Sequence, residues 1–408
     1  MPRVPLWAPL TLSFVNSLGT GAITAGIFFF TEQALGYDRA ENFALGVAMG
    51  LVYVIAAFGV GPLLARTGGR LSSRRVLTVT LWGQGLACTL PILTLLVTGA
   101  QHAVAWWTLA LAYGFFSGAM WPPIESYLAG GRKGPALARA TGLFNILWAS
   151  AMIVAYWAMA PLVEHHQHVA VVGLGACQLA SLLIVRTLPA ESAPPIDTSE
   201  PHPPRYELLL AIFRVLLPTS YLVAATIHPV LPTTMNELSV APQWRTPLAS
   251  IWLIARLIGF ILFERWHGWR GGWAMPIAGP TLLVGGFAAV VASPAMGANL
   301  AMPALVLGLC CFGFGAAAIY AAAIYYAMTV GHAGVGAGGT HEALIGIGMT
   351  AGPVAGLAIS GSVGAGLIQP ARFEAVLIAT VVLLSGLVAG VRLCMLWRAS
   401  RRTASPSP

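Results

Sequence analysis

Four ionisable side chains stand inside runs of apolar residues: Glu125 in MWPPIESYL, Arg256 in WLIARLIGF, and the adjacent His341 and Glu342 in GGTHEALIG. A carboxylate or an imidazole can take up and release a proton, and charged groups at such depth usually mark ion or substrate paths. Glu125, His341 and Glu342 are therefore candidates for proton coupling. A hydrogen-bonded network that only joins helices is the alternative. Neighbouring helical positions point about 100° apart, so at most one of His341 and Glu342 is expected to face a central cavity. Arg256 is always charged and has only donors, so it needs a carboxylate, a ring of carbonyls or an anionic ligand. It is a candidate for substrate binding, with a local salt bridge as the alternative. Trp121, Trp148, Tyr320, Tyr325 and Tyr326 could stack on a flat or sugar-like substrate, or simply pack between helices.

The elements that hold these groups must be membrane helices. The chain has 408 residues, 57% hydrophobic and 8% charged, with a mean hydropathy of +0.79. A soluble domain carries about 25% charged residues, and a membrane helix needs about 20 apolar ones. Hydropathy predicts twelve spans: 8–33, 43–65, 75–98, 103–130, 138–163, 168–188, 207–234, 246–266, 272–292, 299–328, 338–362 and 372–396. The apolar run at the start continues past Phe28, which predicts an uncleaved first span. The eleventh span carries Gly346, Gly348, Gly352, Pro353 and Gly356, a spacing that lets another backbone approach closely.

Charge fixes an expected orientation. With both termini inside, sixteen of the 21 Lys and Arg fall on the cytoplasmic side, three (Arg39, Arg245, Arg372) fall outside, and two (Arg214, Arg256) lie within spans. That is the positive-inside pattern of a multi-pass cytoplasmic (inner) membrane protein, so the net charge of +8 does not point to nucleic acid. The five cysteines all lie in spans without metal-ligand spacing. His165, His166 and His168 in EHHQH read as an exposed loop. No metal and no cofactor is expected. No P-loop, Ser-His-Asp arrangement or nucleotide fingerprint stands in a supporting context.

The chain divides in two. The proline- and acid-rich stretch PAESAPPIDTSEPHPPR reads as a solvated cytoplasmic linker over 189–206. It separates an N-terminal six-helix bundle (1–188) from a C-terminal one (207–398), and a disordered basic tail follows at 399–408. The halves repeat weakly. An offset of 199 residues lays 49–66 over 248–265, pairing Tyr53 with Trp252, Ala57 with Arg256 and Arg66 with Arg265. The same offset pairs Trp121 with Tyr320 and Tyr127 with Tyr326, and an offset of 197 sets Asn145 opposite Glu342. Such repeats mark transporters whose halves rock about a site near the membrane midplane.

These features resemble the major facilitator superfamily. GPLLARTGGRLSSRR (61–75) is similar to that family's loop signature between helices 2 and 3, with Gly61, Leu63, Arg66 and Gly68 matching and Ala65 in place of the usual Asp. FERWHGWR (263–270) is similar to its second copy, with Glu264, Arg265, Gly268 and Arg270. GIGMTAGPVAG (346–356) is similar to a motif typical of helix 5 in antiporters, here placed in the eleventh span. The resemblance implies an all-α membrane fold of twelve helices in two pseudo-symmetric bundles, and a cytoplasmic gate at Arg66, Arg70, Glu264 and Arg265. It also implies that helices 1 and 5 line the cavity, which makes Asn16 and Asn145 substrate-binding candidates beside Arg256, Trp121 and Tyr320. The expected function is a monomeric, non-enzymatic secondary transporter of a small molecule, proton-coupled, working by alternating access in a lipid bilayer. The alternatives are an integral-membrane enzyme, built for instance on Glu125 with His341, and a non-transporting receptor.

Overall fold

The computed structural model describes residues 4–68, 70–194, 202–330 and 335–403, all of them helical or connecting segments. Eleven helices are long and apolar enough to cross a membrane, and a bent pair makes a twelfth span. We label them α1 (Trp7–Ala25 with Ile27–Leu35), α2 (Arg39–Arg66), α3 (Ser73–Thr98), α4 (Ala103–Ala129), α5 (Gly134–Met159) and α6 (Gln167–Val185) in the first half. The second half contains α7 (Arg205–Glu237), α8 (Pro242–Arg265), α9 (Ala274–Ala295), α10 (Ala298–Val330), α11 (Val335–Gly364) and α12 (Phe373–Thr403). Large apolar side chains such as Leu96, Val97, Leu383 and Leu387 are exposed on the outside, as lipid-facing positions are.

Local chemistry sets the helix ends. Asp38 caps α2 in a reciprocal box, its carboxylate accepting from the Glu41 N–H at 2.9 Å while the Glu41 side chain accepts from the Asp38 N–H. In α1 the run TGAITA winds as a π segment over Thr20–Ala25, and the helix then bends by 47°. Gly21 makes this possible, because a Cβ there would fall 2.8 Å from that of Ala155 in α5.

The halves meet along two seams. In the first, α11 lies between α2 and α7, touching both through its glycines. A Cβ on Gly346 would strike Val54 and Tyr53, and one on Gly356 would strike Phe43, all in α2. Gly348 and Gly352 face the other way, where a Cβ would sit 2.2 Å from the carbonyl oxygens of Pro218 and Leu222 in α7. In the second seam, α5 crosses α8, with the Trp157 indole N–H donating to Ser250 at 3.1 Å. Within each half, α4 approaches α2 at Gly118 against the Tyr53 carbonyl, and α10 approaches α8 at Gly313 against the Trp252 carbonyl.

Three segments differ from expectation. The first residues of the expected linker are tied down rather than solvated: Tyr127 donates to the Pro189 carbonyl at 2.7 Å, and Ser73 donates to Glu191 at 2.5 Å. Helix α7 begins at Arg205, inside the expected linker, while 195–201 lie outside the described residues. Helix α12 runs on to Thr403, so the start of the expected tail is helical, and 404–408 lie outside the described residues.

Candidate functional site

A cavity of about 90 Å³ lies between the halves, walled by residues of both. Its lining follows helical periodicity. Thr20, Thr24 and Phe28 come from α1, Phe144, Trp148 and Met152 from α5, and Tyr221 and His228 from α7. A void of that size holds a few waters, each filling about 30 Å³ in the liquid. A ligand site for a drug-sized molecule runs to roughly 300 Å³ or more, so the halves must part to admit one.

The largest charge on the wall is Arg256 of α8, 4% exposed. Its guanidinium carbon lies 4.5 Å from the ring centre of Trp148, 5.0 Å from Tyr320 and 5.3 Å from Phe260. Trp148 comes from α5 and Tyr320 from α10, and their planes are within 10° of parallel with centres 6.5 Å apart. Among the described residues no carboxylate oxygen forms an ion pair with Arg256, and its Nε has no hydrogen-bond partner. Cation–π contact therefore holds the charge in place of an anion. The indole nitrogen of Trp252 and Nε2 of His228 are likewise buried and unpartnered, with their ring centres 5.6 Å apart.

On the far side of Tyr320, whose ring Arg256 and His341 both approach, stands the acidic cluster. Glu125 of α4 and His341 and Glu342 of α11 bring one ligand atom each to within 4.8 Å of one another. The Tyr53 hydroxyl of α2 donates to Glu342. Glu342 is 5% exposed and lines the cavity, while His341 packs its ring 6.1 Å from that of Tyr320, with Nε2 buried and unpartnered. Two carboxyl groups this close, in a medium of low dielectric, repel strongly unless a proton is shared between them. The arrangement can hold and pass a proton, and it joins the two halves where it does so.

Of the residues singled out in the sequence, Arg256, Trp121, Tyr320 and Glu342 are on the cavity wall, and Glu125 and His341 stand beside it. Asn16 and Asn145 are not on it. The Asn16 amide donates to the Leu12 carbonyl at 2.8 Å within its own helix. A period of 3.6 does not carry across the π segment, so Asn16 leaves the face that Thr20 and Thr24 share. Asn145 is one position, about 100°, off the Phe144, Trp148 and Met152 stripe. Arg66, Arg70, Glu264 and Arg265 are all exposed, and among the described residues none forms an ion pair. The Glu264 carboxyl lies against Gly142 of α5 in the other half.

The sequence reading missed Tyr53 and Trp252 as wall residues although it had paired them, and it missed His228. The i, i+4, i+7 spacing of Tyr221, Ala225 and His228 in α7 was the available signal. It also missed the ion pairs at the far end. There Arg39 of α2 binds Glu237 of α7 and, at 2.6 Å, Glu374 of α12. Arg245 of α8 binds Glu32 of α1 at 3.2 Å and donates to Asn236 at 2.9 Å.

Twelve spans in two bundles around a shared cavity give a fold of the major facilitator type, in a multi-pass membrane protein. The chain superposes on the nucleoside transporter NupG with a TM-score of 0.63, at 15% identity over 96% of this chain and 98% of that one. For the human organic anion transporter MFSD10 (TETRAN) the TM-score is 0.62, at 15% identity over 95% and 100%. For a bacterial homologue of the human lysosomal transporter Spinster, inward-facing and occupied, it is 0.63, at 13% identity over 95% and 96%. At these identities the likeness speaks to the fold. No family model matches the sequence, and no curated protein matches it.

Proposed function

We propose that the protein is a proton-coupled secondary transporter of a small molecule, working by alternating access in the cytoplasmic membrane. Residues 1–188 and 207–398 are the halves that rock, joined by a cytoplasmic linker at 189–206, with both termini and the 399–408 tail inside. The orientation rests on the sixteen-to-three split of basic residues, and the class is supported by solved relatives that are transporters by name. One observation carries the reading: a cavity shared by both halves holds a guanidinium with no carboxylate partner among the described residues and, beside it, a two-carboxyl cluster with an imidazole. In this reading Arg256 anchors an anionic or acceptor-rich substrate, while Glu125, Glu342 and His341 handle the proton.

Separating binding from driving force gives the test. In liposomes, Glu342→Gln should abolish transport driven by a pH gradient by at least about tenfold and leave substrate counterflow close to wild type, as expected of a lost general proton carrier. Glu125→Gln should do the same. Undiminished gradient-driven transport in both variants removes the cluster from coupling.

A further inference from the structure

We infer that the anion this site takes is a flat aromatic acid, its ring lying against Trp148 and Tyr320 and its carboxylate on Arg256. This rests on the transporter reading for its purpose but on geometry for its chemistry. Three donors or donor-capable nitrogens on this wall make no hydrogen bond, Nε of Arg256, Nε1 of Trp252 and Nε2 of His228, with the Tyr221 hydroxyl beside the Arg256 guanidinium and the Tyr156 hydroxyl beside Trp252. Arg256 and Trp252 are 4% and 2% exposed, so bulk solvent does not reach them. Leaving buried donors unmade is costly, and acceptor oxygens on a ligand would relieve them. A carboxylate supplies two on one carbon and matches the guanidinium fork.

The rings decide what the carboxylate is attached to. Most aromatic neighbours in this protein meet at steep angles, as Trp121 does with Phe144 at 83° and Trp252 with Phe312 at 75°. Trp148 and Tyr320 instead lie 10° from parallel, with one from each half. A flat group parallel to one is therefore parallel to the other and can stack on both. In this structure the planar guanidinium of Arg256 takes that role, 4.5 and 5.0 Å from the two ring centres. The cavity of about 90 Å³ is too small for such a ligand as it stands, since a benzene-sized guest needs a space near 150 Å³. Entry of the ligand thus means that its ring replaces the guanidinium against the two aromatic faces, and that the guanidinium pairs with the carboxylate instead. Because the two rings belong to different halves, a ring bound to both holds the halves together.

The test is equilibrium calorimetry on the purified full-length protein with three probes: benzoate, cyclohexanecarboxylate and benzyl alcohol. Benzoate should bind roughly tenfold or more tighter than either of the others, since stacking on two rings and a charged pair each add to affinity. Trp148→Leu should bring benzoate and cyclohexanecarboxylate to within about twofold of each other while both still bind. Tyr320→Leu should do the same and serves if the first variant does not fold. Arg256→Ala should remove the preference for benzoate over benzyl alcohol. No benzoate binding, equal binding of the two acids to wild type, or an unchanged ratio in the ring variants overturns the inference. Selective benzoate binding without any gradient-driven flux in liposomes would instead leave the site as argued and defeat the transporter reading.

Discussion

At the end of the bundle where α1 turns into α2, the halves are joined by charge. Arg245 is 6% exposed and spans from α8 to Glu32 of α1, while the more accessible Arg39 reaches both Glu237 and Glu374. At the opposite end Arg66, Arg70 and Arg265 point to solvent. Ordered contacts there include two made by tyrosines to backbone: Tyr127 donates to the Pro189 carbonyl, and its repeat partner Tyr326 accepts from the Gly271 N–H at 2.8 Å. Those bonds stay within one half. The two ends therefore divide the labour. One carries ion pairs that must break for the halves to part there, and the other is stiffened inside each half, with no such ion pair at Arg66, Arg70, Glu264 or Arg265 among the described residues.

The largest effect should come from Arg245→Ala. Removing one partner of a buried pair leaves Glu32 uncompensated, at a cost of about 3 kcal/mol or more, and Asn236 also loses its donor. Denaturation in detergent should show that loss, and unchanged stability would move the seal elsewhere. Arg39→Gln should cost less, about 1 kcal/mol at most, because its pairs are partly exposed. It should still raise thiol labelling of a Thr233→Cys reporter in the cleft that Arg39, Glu237 and Glu374 line, by leaving the two carboxylates unscreened. The smallest effect belongs to Arg66→Gln, Arg70→Gln and Arg265→Gln combined. No change in stability or labelling is expected, and a clear loss would mean that this end too is held by charge.

Much of the framework was legible in the sequence because it is written locally. Span length, the basic loops and the glycine spacing of α11 each report on residues close along the chain, and Arg256 stands out by charge in an apolar run. The pairing that makes the site is not local. Tyr53 and Glu342 are 289 positions apart, and Arg39 and Glu374 are 335 apart, with nothing in either neighbourhood to mark the partner. Asn16 shows a second kind of illegibility. On a regular helical period it would share a face with Thr20 and Thr24, and the Thr20–Ala25 segment breaks that period without any proline to announce it. The family's gate signature led to Arg66, Arg70, Glu264 and Arg265, whereas the ion pairs joining the halves sit at the other end, among residues that looked like ordinary loop charges.

The glycines of α11 have a mechanical consequence. Because Gly346 and Gly356 lie on α2, and Gly348 and Gly352 on α7, this helix meets both neighbours with bare backbone at those points. Interlocked side chains would have to change rotamer, one after another, for the helices to slide; a surface without them works as a plain bearing. Resistance to motion between the halves then falls to the Tyr53–Glu342 hydrogen bond within this seam and to the ion pairs of Arg39 and Arg245, which act as a latch. Adding a methyl group at Gly352 would turn the bearing into a ratchet tooth against the Leu222 carbonyl, slowing exchange between states even where each state could still form.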